Sequence, residues 1–288
     1  MNENYLWDRS GPPDPEIADL EQVLGTLRYD KPLRARTRPR AWVWPSLAAA
    51  AAAATLIAVI IWPRPPAWEI ARRGGKTVYY AEEVGQVEAA AGSDVRVLDS
   101  RRLRLRRGEI HAVIWAPPRE FVVDTPSARA IDLGCEYTLS VAADGTGLLR
   151  VSTGWVAFQH RRLESFIPAG AACVTRARRG PGTPWMEDAP ADLRIALNAF
   201  DERADVNALR RVLAHARSED GLTLWHLLTR APQAERGAVF DRFAQLVALP
   251  PEVTRDRIVA SEPKAIDAAW NALKLENADW WREWKRSW

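Results

Sequence analysis

The chain has 288 residues, of which 47% are hydrophobic and 27% charged, with a formal net charge of +3. This is the composition of folded globular material, not of a disordered segment, and the charge is too slight to imply a nucleic-acid partner. Composition names no function, so the elements are taken in chain order.

Residues 2–29 read as a short loop followed by a helix. Asp14 is placed to cap it and Pro15 to occupy its first position, and Ile17, Leu20, Val23, Leu24 and Leu27 recur at helical spacing. A lone helix this short is marginal in water and gains stability by laying its apolar stripe on something else, a cytoplasmic protein or a membrane surface. The alternative is a disordered tail that only sets topology. The stretch Trp44 to Trp62 carries no charge, and at about 1.5 Å per residue it reaches roughly 28 Å, close to the ~30 Å core of a bilayer. It predicts one retained membrane-spanning helix, ended by Pro63, Pro65 and Pro66; the competing reading is an alanine-rich helix of a soluble protein. Lys31, Arg34, Arg36, Arg38 and Arg40 before the stretch place the N-terminus in the cytoplasm and the bulk of the chain on the periplasmic side.

From Trp68 to about Thr175 the periodicity falls to two residues, which predicts an all-β region. Short strands are expected at Val95 to Leu98, Leu103 to Leu105 and Ile110 to Trp115, the last covered on both faces. Leu133, Cys135, Tyr137, Leu139 and Val141 alternate with polar residues, so one face of that strand is buried. Asp144 and Gly145 supply the positive-φ positions of a hairpin, and Gly154 marks a bulge or a close backbone approach.

Between Phe121 and Gly170 the chain resembles the FecR family, envelope-side domains of single-span regulators that control extracytoplasmic-function sigma factors. The residues that carry the resemblance are Phe121, Val122, Val123, Thr125 and Pro126, then Leu133, Gly134 and Tyr137, then Asp144 and Gly145, then Val151, Gly154 and Val156, then Ala169 and Gly170. The chain departs from the family pattern at Ser127 and Ala128, and at Cys135, where threonine is usual. Some family members are thought to cleave themselves at the Gly-Thr bond, so the resemblance puts a cleavage site between Gly134 and Cys135, with a thiol as the nucleophile. The other fates of Cys135 are a disulfide with Cys173, which would stabilise by about 3–4 kcal/mol, and a buried free thiol.

Residues 176–190 are rich in arginine, glycine and proline and read as a linker or a loop draped over the β-domain. Helical spacing then returns with Leu193, Ile195, Leu197 and Phe200, with Leu209, Val212 and Leu213, and in three further segments; Asp205, Asp220 and Thr254 stand at N-cap positions. Trp280, Trp281, Trp284 and Trp288 close the bundle core or lie at a membrane surface. His111, His160, His215 and His226 lie far apart, and no phosphate loop or nucleophile elbow occurs, so no catalytic residue, metal or cofactor is expected.

The expected fold class is a multidomain α+β chain. It has a cytoplasmic tail (1–40), a single transmembrane helix (41–63), an all-β FecR-like periplasmic domain (67–180) and an all-α C-terminal helical bundle or HEAT-like domain (188–288). The resemblance implies a non-enzymatic inner-membrane regulator of anti-sigma type, whose partner is a cytoplasmic sigma factor held at the Ile17 to Leu27 stripe. The alternative is an envelope scaffold or binding module anchored in the membrane, with an envelope protein as partner and no sigma factor.

Overall fold

A computed structural model describes residues 15–26 and 68–275. The chain divides into two compact units, Met1–Pro63 and Arg64–Trp288.

In the first unit helix α1 (Pro15–Gly25) starts at its proline, as the spacing predicts, and Thr26 closes it by donating its hydroxyl to the Val23 carbonyl at 2.6 Å. Residues Asp14 and Leu27 and the whole charge-free stretch from Trp44 to Trp62 lie outside the described residues.

The second unit is built on one sheet of twelve strands. Two hairpins, β1 (Glu69–Arg73) with β2 (Lys76–Ala81) and β2 with β3 (Gly85–Ala89), lead to its hub, β5 (Arg102–Ile114). One edge of β5 takes β4 (Asp94–Asp99) and then β3; the other takes β6 (Val122–Asp124) in parallel and then β7 (Arg129–Val141) antiparallel. A register shift between Asp94 and Val95 swaps the inward parity of β5. Leu103 and Leu105 point inward before it, Ile110, Ala112 and Ile114 after it. The opposite face of β5 is not covered: Val113 is 38% exposed and Trp115 51%, against the expectation of a strand buried on both sides.

β7 pairs along its length with β8 (Gly147–His160), whose far edge carries β10 (Ala171–Arg176) and β9 (Leu163–Pro168) one after the other. The loop between β7 and β8 uses only Gly145 at positive φ; Asp144 instead accepts the Thr146 N–H at 2.8 Å and its hydroxyl at 3.0 Å, an Asx turn.

The fold class differs from the expected one in four ways. The sheet is mixed, because β5 and β6 run parallel. The segment read as a linker contributes two strands, β11 (Gly180–Pro181) and β12 (Trp185–Met186), both paired to β10. Helices α2 (Ala191–Arg203), α3 (Val206–His215), α4 (Gly221–Arg230), α5 (Gln233–Leu246), α6 (Arg255–Val259) and α7 (Pro263–Ala272) share the core of the sheet instead of closing a domain of their own. Finally, among the described residues no helix is long and apolar enough to cross a membrane.

The shared core has an aromatic centre. Trp270 of α7 meets Trp225 of α4 at 4.7 Å between ring centroids, Trp155 of β8 at 5.7 Å and Phe166 of β9 at 5.9 Å, contacts worth about 0.5–1.5 kcal/mol each beyond area burial. Trp225 Nε1 donates to the Ile266 carbonyl at 2.9 Å, so its polar edge is satisfied inside that core. Polar staples surround it. Thr183 donates its N–H and hydroxyl to Asp201 of α2 at 2.7 and 2.8 Å, Thr223 donates to the Pro184 carbonyl at 2.9 Å, and the Phe166 N–H donates to His226 Nε2 at 3.1 Å. These bonds hold residues 180–185 down as structure. Within α2 the buried positions are Leu193, Ala196, Leu197 and Phe200, whereas Ile195, expected on that stripe, is 66% exposed. Asp205 caps α3 by accepting the Asn207 N–H; Asp220 and Thr254 stand at the predicted caps without a capping bond of their own to α4 and α6.

Arg230 ends α4 inside this interface, donating to the Glu164 carbonyl and the Ser165 hydroxyl, both at 2.7 Å, and to Thr183 Oγ1 at 3.2 Å. Replacing it leaves three acceptors without their charged donor. Arg230→Met is expected to cost about 3 kcal/mol in urea unfolding, whereas Arg203→Met, from an exposed pair with Glu202, stays within about 0.5 kcal/mol of the parent. Equal effects at the two sites would show that Arg230 does not hold helices to sheet.

Candidate functional site

The residues that carry the family resemblance gather at two points of the sheet. The first is a turn after β6. Thr125 Oγ1 donates to the Ala128 carbonyl at 2.7 Å and accepts the Ala128 N–H at 3.0 Å, which fixes Pro126 at the apex. Gly145, at the tip of the β7–β8 loop, has its open side toward the Pro126 ring. Ser127, one of the departures from the family pattern, is buried and meets Thr175 of β10 at 2.6 Å between hydroxyl oxygens.

The second point is the bulge in β7. Pairing with β8 shifts between Asp132 and Cys135, so Leu133 and Gly134 together stand opposite Trp155, one residue more on β7 than on β8. Gly134 takes φ 85° and Gly154, opposite on β8, φ 69°. A Cβ on Gly154 would run into the Gly134 carbonyl, whereas one on Gly134 would enter open space. Leu133 and Tyr137 are both buried, as the alternation predicts. Asp132, which the sequence reading did not single out, is 1% exposed. It accepts the Gly134 N–H at 2.7 Å and the Cys135 thiol proton in a short contact, while its carbonyl accepts the Arg119 N–H at 2.7 Å. A carboxylate at an inward position just before an apolar-Gly pair was the available signal.

Burial raises the Asp132 carboxyl from 3.8 to about 7, outweighing its two hydrogen bonds. Burial first, and then the neighbouring Asp132, push the Cys135 thiol well above its ordinary value. A thiol held protonated in this way is a poor nucleophile, and the two bonds that Asp132 accepts brace the bulge around Gly134. The disulfide is not formed either. Both cysteines are free, and Cys173 Sγ faces the Gly182 carbonyl at 3.2 Å. Cys173 is aligned across β8 with Leu149 and Leu139, two strands and four residues from Cys135, which separates the two by well over the ~7 Å limit for bridging.

The third feature is the face of α1. Leu20, Val23 and Leu24 are 60%, 63% and 60% exposed, an i, i+3, i+4 stripe that nothing among the described residues covers. Ile17 lies on the same helix by sequence, and Leu27 lies outside the described residues.

No family model matches the chain, and no curated protein matches it. Among solved structures it is similar to two crystal structures of a candidate anti-sigma factor from Parabacteroides distasonis ATCC 8503, at 1.65 and 2.50 Å resolution, with 18% identity in both. Each alignment covers 45% of this chain and 63% of that one, with TM-scores of 0.36 and 0.35, so it spans less than two thirds of that protein.

Proposed function

We propose that the chain is a regulator of anti-sigma type that holds a sigma factor on α1 and relays a signal received by its sheet unit. The observation that carries this reading is the open Leu20, Val23 and Leu24 stripe, because a helix of 11 residues gains its stability from what it docks on. The resemblance to the FecR family from Phe121 to Gly170 supports the choice of partner. The location proposed is the bacterial inner membrane, with α1 on the cytoplasmic side and the sheet unit on the periplasmic side.

A second reading, an envelope binding module, is favoured by one feature. Tyr80 and Trp115 form an exposed aromatic pair, 6.1 Å between centroids, on the sheet face that also shows Val113.

The full-length chain and its Leu20→Asp/Leu24→Asp variant, each isolated from native cells with its bound proteins, separate the two. The parent is expected to bring down a sigma factor and the variant to lose it, each buried anchor contributing on the order of 30-fold in affinity, with unchanged thermal unfolding of the sheet unit. Recovery of the same envelope protein by both, and of a sigma factor by neither, would establish the second reading.

A further inference from the structure

The stretch RRLRLRRG places arginines at alternate positions of β5, and the sheet turns them into a basin. A cavity of about 680 Å³ is lined by Arg96, Arg102, Arg104, Arg106, Arg129 and Arg161 together with the Thr125–Pro126 turn. Cross-strand register explains how they meet. Arg96 on β4 is directly opposite Arg104 on β5, Arg104 is opposite Asp124 on β6, and Asp124 is opposite Arg129 on β7. The adjacent row, Val97, Leu103, Val123 and Ala130, points the other way, three of its four residues into the core, so the pleat alternates a basic row with an apolar one.

Neutralisation is incomplete. Asp124 alone serves three guanidinium groups, Arg102 at 2.7 Å, Arg129 at 3.4 Å and Arg104 at 3.8 Å, and Asp94 serves Arg96 at 3.9 Å and Arg106 at 3.8 Å. Six guanidinium groups against two carboxylates leave an excess of about four positive charges in one concavity. Like charges directly opposite in a sheet are destabilising, and a face that only needed to be wetted would alternate its signs. The Arg96–Arg104 pairing is therefore a stability cost that an anion would offset.

We infer that this basin binds a small polyanion bearing two or more phosphate groups. Guanidinium forks match phosphate oxygens bidentately, two phosphates at about −1.5 to −2 each balance the excess charge, and the volume falls in the range of small-molecule sites. The inference stands independently of any sigma factor.

Titration calorimetry on the purified full-length chain tests it. The probes are inorganic tripolyphosphate, citrate as a carboxylate control and phosphatidylglycerol vesicles, at about 50 and about 200 mM salt. Tripolyphosphate is expected to saturate one site and weaken steeply with salt. Arg96→Ala/Arg104→Ala is expected to lose at least about tenfold in affinity while melting no lower than the parent without ligand, since it removes a repulsion. Arg161→Gln, on the turn after β8, gives a smaller loss, about threefold, and serves as a variant outside the paired strands. Binding to vesicles alone, lost in the double variant, assigns the phosphates to a lipid headgroup. Equal affinity for citrate, full affinity in the double variant, or no binding of either phosphate source overturns the inference.

Discussion

Gly154→Ala is expected to be the most damaging single-methyl substitution in the sheet, costing more than about 4 kcal/mol, enough to prevent accumulation of folded chain. Two penalties act together: an L side chain at φ 69°, and a Cβ driven into the Gly134 carbonyl across the bulge. Gly134→Ala is the control. It sits at φ 85° but opens onto space, so it carries only the backbone penalty, about 1–2 kcal/mol. Denaturant midpoints of the two variants measure the difference. If they were equal, close approach of the two strands would not be what requires glycine at Gly154.

Asp132 makes the stability of the chain fall as pH rises. Its carboxyl is raised from 3.8 to about 7 in the folded state, so between those values the folded chain keeps a proton that the unfolded chain releases. The unfolded state then binds fewer protons, and the slope of unfolding free energy against pH is negative. The stabilisation is complete below about pH 4 and is lost on passing through about pH 7, a change on the order of 4 kcal/mol at this site. Asp132→Asn retains an acceptor for the Gly134 N–H and cannot ionise. Chemical unfolding at a series of pH values is expected to show a flatter profile for this variant and greater stability than the parent at pH 8. A parent profile that rises between pH 4 and 7, with the same rise in the variant, would contradict burial as the dominant influence on Asp132.

Much of the sheet could be read from alternation. Leu133, Cys135, Tyr137, Leu139 and Val141 face inward as their period demands, Gly154 is the close approach that a strand glycine signals, and Asp205 caps its helix. What escaped reading has local causes. β11 and β12 have two residues each, too few to show a period, and they are held by side chains of α2 and α4 that no neighbouring sequence announces. β6 has three residues, so its parallel pairing with β5, which makes the sheet mixed, carries no pattern of its own. Helical spacing admitted Ile195 to a stripe that packing assigns to Ala196. At the candidate site Gly145 and Gly154 were legible, because backbone geometry selects residue types, whereas Thr125 and Pro126 entered only through the resemblance and their turn was not read. Asp132 was not read, although its inward position before Leu133 and Gly134 signalled it; its thiol and amide partners become visible only in the fold. The arginines of β5 alternate visibly, but their meeting with Arg96 and Arg129 depends on register.

The position of Trp270 sets an order on the birth of the molecule. A chain made from its N-terminus completes β8 and β9 long before α7 leaves the ribosome, so Trp155 and Phe166 wait for α7 to cover them. During that interval a nearly finished sheet presents an aromatic surface to its surroundings. Translation halted before Trp270 is thus expected to leave this aromatic surface open to aggregation and to chaperones, and α7 is the stopper that ends its exposure.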